Sequence, residues 1–405
     1  MNTLPGFLFL LISSLAQTYI CRELKTHLKK GAISAKLGAK LILLLTGVFI
    51  LSLVPLVWGA YLRWIGVSSD PRLLREFFPI SVVWWMGLMG CGAVLLGCAL
   101  FRRLLPLATQ AARTENVDLG RRDFLCKGVG LAAAAPLAIS GYGSLFERHR
   151  FEIEHFSIQV SGLPAALSQL TIAHLTDIHV GPFMPAGELA RYVDAVNRLQ
   201  PDLIALTGDF VTGGDDEVAP CVETLAKLKA QYGVFACLGN HDSYAGVADD
   251  LAFLLGENGI ATLRNDAKTI QVRDAKIEVL GIEDLGTGRP NLQRALTANA
   301  KNTGGVKVLL SHRPEIFPEA ARQDIDLVLS GHYHGGQVKL FSDPQSLSIA
   351  RFLTPYAEGL YRLPRRSEKE KKVATLFVSR GVGVSALPIR LNCPPQIAHL
   401  TLRRV

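Results

Sequence analysis

The hydrophobic positions of this chain follow two rhythms. Up to about residue 145 they come in long unbroken runs; from about residue 156 they come in short runs that stop abruptly at polar residues. The long runs are residues 4–20, 41–62 and 79–101. A membrane-crossing helix needs about 20 mainly apolar residues, and the second and third runs have no polar face to turn towards water. The pattern predicts three transmembrane helices within residues 1–102. A fourth run, residues 128–145, is moderately apolar and rich in alanine. Residues 103–127 before it read as a polar cytoplasmic linker, and residues 146–155 after it as a short charged connector.

Beyond the connector the pattern is α/β. Apolar runs at Leu170–Thr176, Leu203–Leu206, Val234–Leu238, Val306–Leu310 and Leu327–Leu329 are short enough for buried strands. Residues 187–199 place Leu189, Val193, Val196 and Leu199 at helical spacing. Continuous apolar strands alternating with amphipathic helices imply sheets covered on both faces. Further strand candidates at 268–272, 276–281, 373–378 and 397–402 predict a second, mixed sheet. The sequence has no internal repeat and no low-complexity segment.

Charge adds a topology. The chain has 405 residues, 49% of them hydrophobic, and a formal net charge of +8. Much of the basic excess lies in short loops between apolar runs, which reads as membrane orientation and not as nucleic-acid binding. Residues 21–40 carry Arg22, Lys25, Lys29, Lys30, Lys36 and Lys40 and belong inside the cell. The next loop balances Arg72 and Arg75 with Asp70 and Glu76 and belongs outside, and the third helix returns to Arg102 and Arg103. Gly120-Arg121-Arg122-Asp123-Phe124-Leu125-Cys126-Lys127 before the fourth run resembles a twin-arginine export signal. Whether that run is an anchor or an export signal, everything after about residue 145 is placed outside the cytoplasmic membrane. The mixed-sign run from Arg365 to Lys372 reads as a solvated loop. Seven cysteines without a Cys-x-x-Cys pair read as buried small hydrophobes. Trp84 and Trp85 are read as lipid-facing or interfacial.

The strand ends carry the chemistry. In order they are Asp177-Ile178-His179, Gly208-Asp209, Gly239-Asn240-His241-Asp242, His312 and Gly331-His332-Tyr333-His334. Residues just past the carboxyl ends of strands are where α/β sheets bind ligands. Asp177 and His179 are two apart, so an extended segment would point both the same way. Asp209 could bridge two metals through its two oxygens, Asn240 offers a neutral oxygen, and His312, His332 and His334 offer nitrogens. This oxygen and nitrogen set without thiolate suits two divalent ions such as manganese, iron, zinc or cobalt. Such a pair leaves net positive charge for a phosphate oxyanion and keeps a bridging hydroxide near neutral pH. His241, beside Asn240, is the candidate proton donor to a leaving alkoxide, with Asp242 to orient or support its imidazole. The isolated histidines, His27, His149, His155, His174 and His399, are read as structural.

This ordered set resembles the calcineurin-like metallophosphoesterases. Gly331-His332-Tyr333-His334-Gly335-Gly336-Gln337, with Ser379-Arg380-Gly381-Val382-Gly383 and Leu387-Pro388-Ile389-Arg390-Leu391, resembles their bacterial membrane-associated or twin-arginine-exported branch. The resemblance covers roughly residues 150–405. It implies a four-layer α/β/β/α sandwich, and the apolar runs add an N-terminal bundle of three to four transmembrane helices before it. It implies one metal on Asp177, His179, Asp209 and His334, and the other on Asp209, Asn240, His312 and His332. Thr212 stands where a purple acid phosphatase would have tyrosine, and Gln396 where the branch would have glutamate. Arg380 and Arg390 are candidates to clamp a phosphate or to brace a loop. The expected function is a membrane-anchored phosphohydrolase, a phosphodiesterase by preference, acting on envelope or lipid-linked phosphoester or pyrophosphate substrates. The alternative is a metal-binding scaffold or sensor, which would have no need of a proton donor at His241. A transporter is disfavoured, because the apolar runs lack the charges that mark a pathway.

Overall fold

In the computed structural model, the described residues are 14–22, scattered positions between 25 and 50, 71–108, 119–298, 305–365, 372–385 and 387–404. The chain divides into two compact units, Met1–Phe146 and Glu147–Val405.

Among its described residues the first unit holds two long helices, α1 (Pro71–Ala108) and α2 (Leu119–Leu145). Within α1, Val83–Leu100 has a mean hydropathy of 1.8, and α1 is the one helix among the described residues long and apolar enough to cross a membrane. Of the other expected spans, most of 4–20 and 41–62 lies outside the described residues. The two helices meet at small residues: a Cβ added to Gly87 would lie 2.5 Å from Leu137 Cδ1, and one on Gly90 2.6 Å from Pro136 Cβ. The expected linker over 103–127 is helical at both ends, because α1 runs on to Ala108 and α2 begins at Leu119. Arg121 and Arg122 therefore sit in the opening turn of a helix. Arg, Leu and Ala favour helix, and nothing around the pair breaks one.

The second unit is built on two six-stranded sheets. The first contains β1 (Glu152–Val160), β2 (Thr171–Leu175), β3 (Leu203–Thr207), β4 (Val234–Cys237), β5 (Ile260–Thr262) and β12 (Gln396–Arg404), in the order β1-β12-β2-β3-β4-β5. The second contains β6 (Asp266–Val272), β7 (Ala275–Gly281), β8 (Val306–Leu310), β9 (Leu327–Ser330), β10 (Gly359–Pro364) and β11 (Val373–Val378), in the order β10-β11-β9-β8-β7-β6. β2 to β5 run parallel, and so do β7, β8, β9 and β11. The strands that carry the motifs therefore end at the same edge of each sheet.

Three apolar clusters make the layers. One lies between the sheets, where Ile172, Leu203 and Leu400 meet Val308, Leu329 and Phe377. A second lies under helices on the outer face of the first sheet. There α3 (Ala186–Leu199) buries Leu189, Val193 and Val196, each contributing about 1.5–3 kcal/mol of apolar burial. The third lies under Leu292–Ala298 and Phe317–Arg322 on the outer face of the second sheet. The order is helix, sheet, sheet, helix.

Two expectations change. The strand at 397–402 belongs to the first sheet, paired antiparallel with β2 and parallel with β1. Its alternation buries Ala398, Leu400 and Leu402 on one face, a pattern either sheet would satisfy. The charged connector ends early, because β1 already begins at Glu152.

Candidate metal centre

The site forms where the carboxyl ends of the two sheets converge. Asp177 follows β2 by two residues, Asp209 follows β3, His312 follows β8 and His332 follows β9 in the same way. Pairing outlasts the strands: Asp177 N–H donates to Gly208 O at 3.0 Å and His179 N–H to Asp209 O at 2.9 Å. Between the sheets, His332 N–H donates to the Asp177 carboxylate at 3.0 Å. Gly331 permits that approach, since a Cβ there would lie 2.2 Å from Asp177 Oδ2 and from Thr176 Oγ1.

The ligand residues do not present themselves from extended backbone. Asp177, His179, Asp209, His332 and His334 all have positive φ, between 50° and 76°. Non-glycine residues in this left-handed region store strain and collect at functional sites. The expected shared strand face for Asp177 and His179 is thus replaced by two left-handed turns, which aim both side chains inwards.

The side chains form two groups around one oxygen. Asp209 Oδ2 lies 3.4 Å from His179 Nε2 and 3.2 Å from His312 Nε2. On one side, His334 Nε2 is 3.2 Å from His179 Nε2 and 3.4 Å from Asp177 Oδ1. On the other, His312 Nε2 is 3.1 Å from both Asn240 Oδ1 and His332 Nδ1. Such separations match the edges of coordination polyhedra with bonds of about 2.1 Å. Seven ligand residues converge here with only two carboxylates among them, so the donor set fits two divalent ions. All seven expected ligands are brought together.

Burial keeps most imidazoles in their ligating form. It pushes His179 and His332 down to about 3, and His334 well below its ordinary value. Burial pushes Asp177 up to about 6. Asp209 is held low despite burial, chiefly by His312. For His312 burial works the other way but loses to Asp209 and Asp177, which push it up to about 10. Its Nδ1 donates to Thr207 O at 2.8 Å, which leaves Nε2 to face the carboxylate.

His241 reaches the centre from the short helix α4 (Asn240–Tyr244). Its N–H donates to Asp209 Oδ1 at 2.8 Å, and its Nδ1 lies 3.0 Å from Thr212 O. That leaves Nε2 towards the centre, 3.4 Å from Ser385 Oγ, with the ring edge-on to His179. Asp242 is placed differently from expectation. Its carboxylate accepts from the amides of Gly239, Asp209, Phe210 and Val211 at 2.8–3.3 Å. It ties the Asp209 loop to the Asn240 turn, and Thr212 holds the imidazole instead.

The two arginines are also placed differently from a phosphate clamp. Arg380 donates to Pro394 O and to Glu152 and Glu154 at 3.1–3.3 Å. Arg390 is fully buried and donates to the carbonyls of Gly383, Cys393, Arg380 and Gly381. Its Nη2 is 3.5 Å from His334 Nδ1. The loop it binds packs on the site, with Gly383 N–H donating to Asp177 O at 2.7 Å. Arg390 is the brace of that loop.

His174 faces the inter-sheet core, where its Nε2 bonds Thr207 Oγ1 at 2.8 Å and burial pushes it down to about 3. Cys221, Cys237 and Cys393 are buried and free. Three residues escaped the sequence reading. Ser385 approaches His241, Glu315 binds Tyr333 Oη at 2.6 Å, and Asp284 binds Arg313, the neighbour of His312, at 2.9 Å. None stands in a motif; only the arginine directly after His312 hinted at a partner.

Comparison with known proteins places these features. A family model described as calcineurin-like phosphoesterase matches residues 170–336. The chain is similar to the uncharacterized metallophosphoesterase YkuE of Bacillus subtilis, 30% identical over 298 residues, 70% of this chain and 98% of that protein. It is similar to the transmembrane protein with metallophosphoesterase domain of Danio rerio, 29% identical over 372 residues, 88% of this chain and 80% of that one. An uncharacterized metallophosphoesterase of Aquifex aeolicus is 30% identical over 65% of this chain and 96% of its own length.

Proposed function

We propose that this chain, which belongs to the calcineurin-like metallophosphoesterase family and is a hydrolase of phosphoric esters, is a membrane-anchored phosphodiesterase of lipid-linked or envelope substrates. The observation that carries the reading is the Asp209 oxygen shared between two clusters of ligand atoms. Asp177, His179, Asp209 and His334 would hold one ion, and Asp209, Asn240, His312 and His332 the other, with manganese, iron or zinc as occupants. When bound, such a pair acidifies water and neutralises charge developing on the phosphoryl oxygens.

The chain's own groups do the rest. Thr212 O holds the Nδ1 side of His241, so Nε2 is the nitrogen that hands a proton to the leaving oxygen. Asp242 fixes the spacing between Asp209 and Asn240 through backbone amides. Arg380 and Arg390 are engaged with carbonyls and glutamates. Neither supplies a cation for the second charge of a monoester dianion, which favours the monoanionic diester. Anchoring rests on the apolar window of α1. Loop charges in the sequence favour a multi-pass arrangement with the catalytic unit outside the cytoplasmic membrane.

The test is hydrolysis of a chromogenic phosphodiester and its matching monoester by the full chain in detergent, with and without manganese or zinc. Metal-dependent turnover that favours the diester and disappears in Asp209→Asn is expected. Stoichiometric metal binding without turnover of either ester would leave a binding domain in place of an enzyme.

A further inference from the structure

The segment that follows the last metal-ligand motif is unusual for a water-facing loop. Leu340, Phe341, Leu347, Ile349, Phe352 and Leu353 are all exposed, from 58% for Leu347 to 77% for Phe352. Single exposed apolar residues are ordinary, but a contiguous set marks an interaction surface.

Much of the segment's hydrogen bonding closes within it, although the second Glu358 oxygen is buried without a partner. Its charged residues are Lys339, Asp343, Arg351 and Glu358. Lys339 and Glu358 are both buried and paired at 2.6 Å. Arg351 donates to Pro344 O, and Asp343 accepts from Gln345 N–H. The backbone closes on itself too, with Leu340 N–H on Leu347 O at 3.1 Å and Thr354 N–H on Ala350 O at 3.0 Å. Internal satisfaction is what a low-dielectric medium demands of a segment that enters it.

Both ends are tied to the catalytic groups. Gln337 holds Ser385 through its N–H at 2.8 Å and its carbonyl at 2.9 Å, and Ser385 approaches His241. Thr354 and Tyr333 share the Glu315 carboxylate, at 2.9 and 2.6 Å. The same chain carries a helix of membrane-crossing length and apolarity, so a bilayer is the apolar medium within its reach.

We propose that the surface between Leu340 and Leu353 docks into the headgroup and acyl boundary of a lipid bilayer, bringing the candidate metal centre to phosphoesters held in that surface. Phe341, Phe352 and Leu353 enter the boundary, as an interfacial amphipathic element does. The Lys339–Glu358 pair closes the base. A substrate with an acyl chain keeps its chain in the bilayer while its phosphoester reaches the site, and this part rests on the phosphodiesterase reading above.

The test places an environment-sensitive fluorophore at Phe352→Cys in the full chain reconstituted into phosphatidylcholine–phosphatidylglycerol vesicles, with Cys21, Cys91, Cys98 and Cys126 changed to serine. Phe253→Cys, at an exposed position of α5 (Ala248–Glu257), is the control. Quenching at 352 by nitroxides on lipid acyl chains, with loss of the iodide quenching that the control retains, is expected. Equal iodide quenching at both positions overturns the proposal. Protection at 352 from both quenchers also overturns it, because a second copy or a protein partner then covers the surface. This readout needs no turnover, so its failure is distinct from failure of the phosphodiesterase reading. In a second arm, Phe341→Asp with Phe352→Asp is expected to lose hydrolysis of an acylated phosphodiester in vesicles while retaining that of a soluble one. Unchanged vesicle hydrolysis overturns the proposal.

Discussion

Asp209 is the residue on which the site turns. One of its oxygens faces both imidazole groups and the other accepts the His241 amide. Asp209→Asn keeps the shape but removes the shared charge, and metal-dependent turnover is expected to vanish. His241→Ala keeps the ligand atoms and removes the proton donor. Its kcat is expected to fall about 10²–10⁴-fold with metal content unchanged, as steady-state kinetics beside metal analysis would read. His312 carries a pH signature. Pushed up to about 10 by the two carboxylates, it is protonated at neutral pH, yet a ligating imidazole is neutral. Metal loading at about pH 8 is therefore expected to release about one proton per chain from His312 and about one more from metal-acidified water, seen by calorimetry in buffers of different ionisation enthalpy. Release increases as pH falls through about 6, where Asp177 also becomes protonated. These residues were legible in the sequence because each follows an apolar run and together they fit one ordered pattern. The role of Asp242 was not, because backbone amides leave no mark in a sequence.

Elements decide whether those residues meet. The convergence of the two sheets passes through Gly331, where any side chain would overlap Asp177 and Thr176. Gly331→Ala is expected to cost at least about 1–3 kcal/mol by overpacking and to lower metal affinity, measurable by urea unfolding and metal titration. Arg390 holds the loop over Asp177 by donating to four backbone carbonyls, a task that needs the planar guanidinium. Arg390→Lys is expected to lower metal affinity roughly 10–100-fold without altering the diester-to-monoester ratio. A phosphate clamp would instead raise KM for both esters with metal affinity intact. The strands that carry motifs were legible by length and composition. The sheet to which β12 belongs was not, since its alternation suits both. The left-handed backbone at five ligand positions was also hidden, because aspartate and histidine do not announce positive φ as glycine does.

At the scale of the whole molecule, the two hydrophobic rhythms correspond to two compact units that meet in sequence at Phe146 and Glu147. Of the predicted membrane-spanning runs, the third lies within α1, whose window Val83–Leu100 is long and apolar enough to cross a membrane. The helical ends of the supposed linker were not legible, because polarity alone does not separate an exposed helix from a loop. The proposed orientation is expected to make an exported-only reporter active, and a cytoplasm-only reporter silent, when fused at about residue 150. The proposed function rests on a metal pair bridged by Asp209. Electron paramagnetic resonance of the manganese-loaded chain tests it most directly. The multiline spectrum of a spin-coupled pair is expected, collapsing in Asp209→Asn. An isolated six-line signal that saturates at a single ion per chain would contradict it.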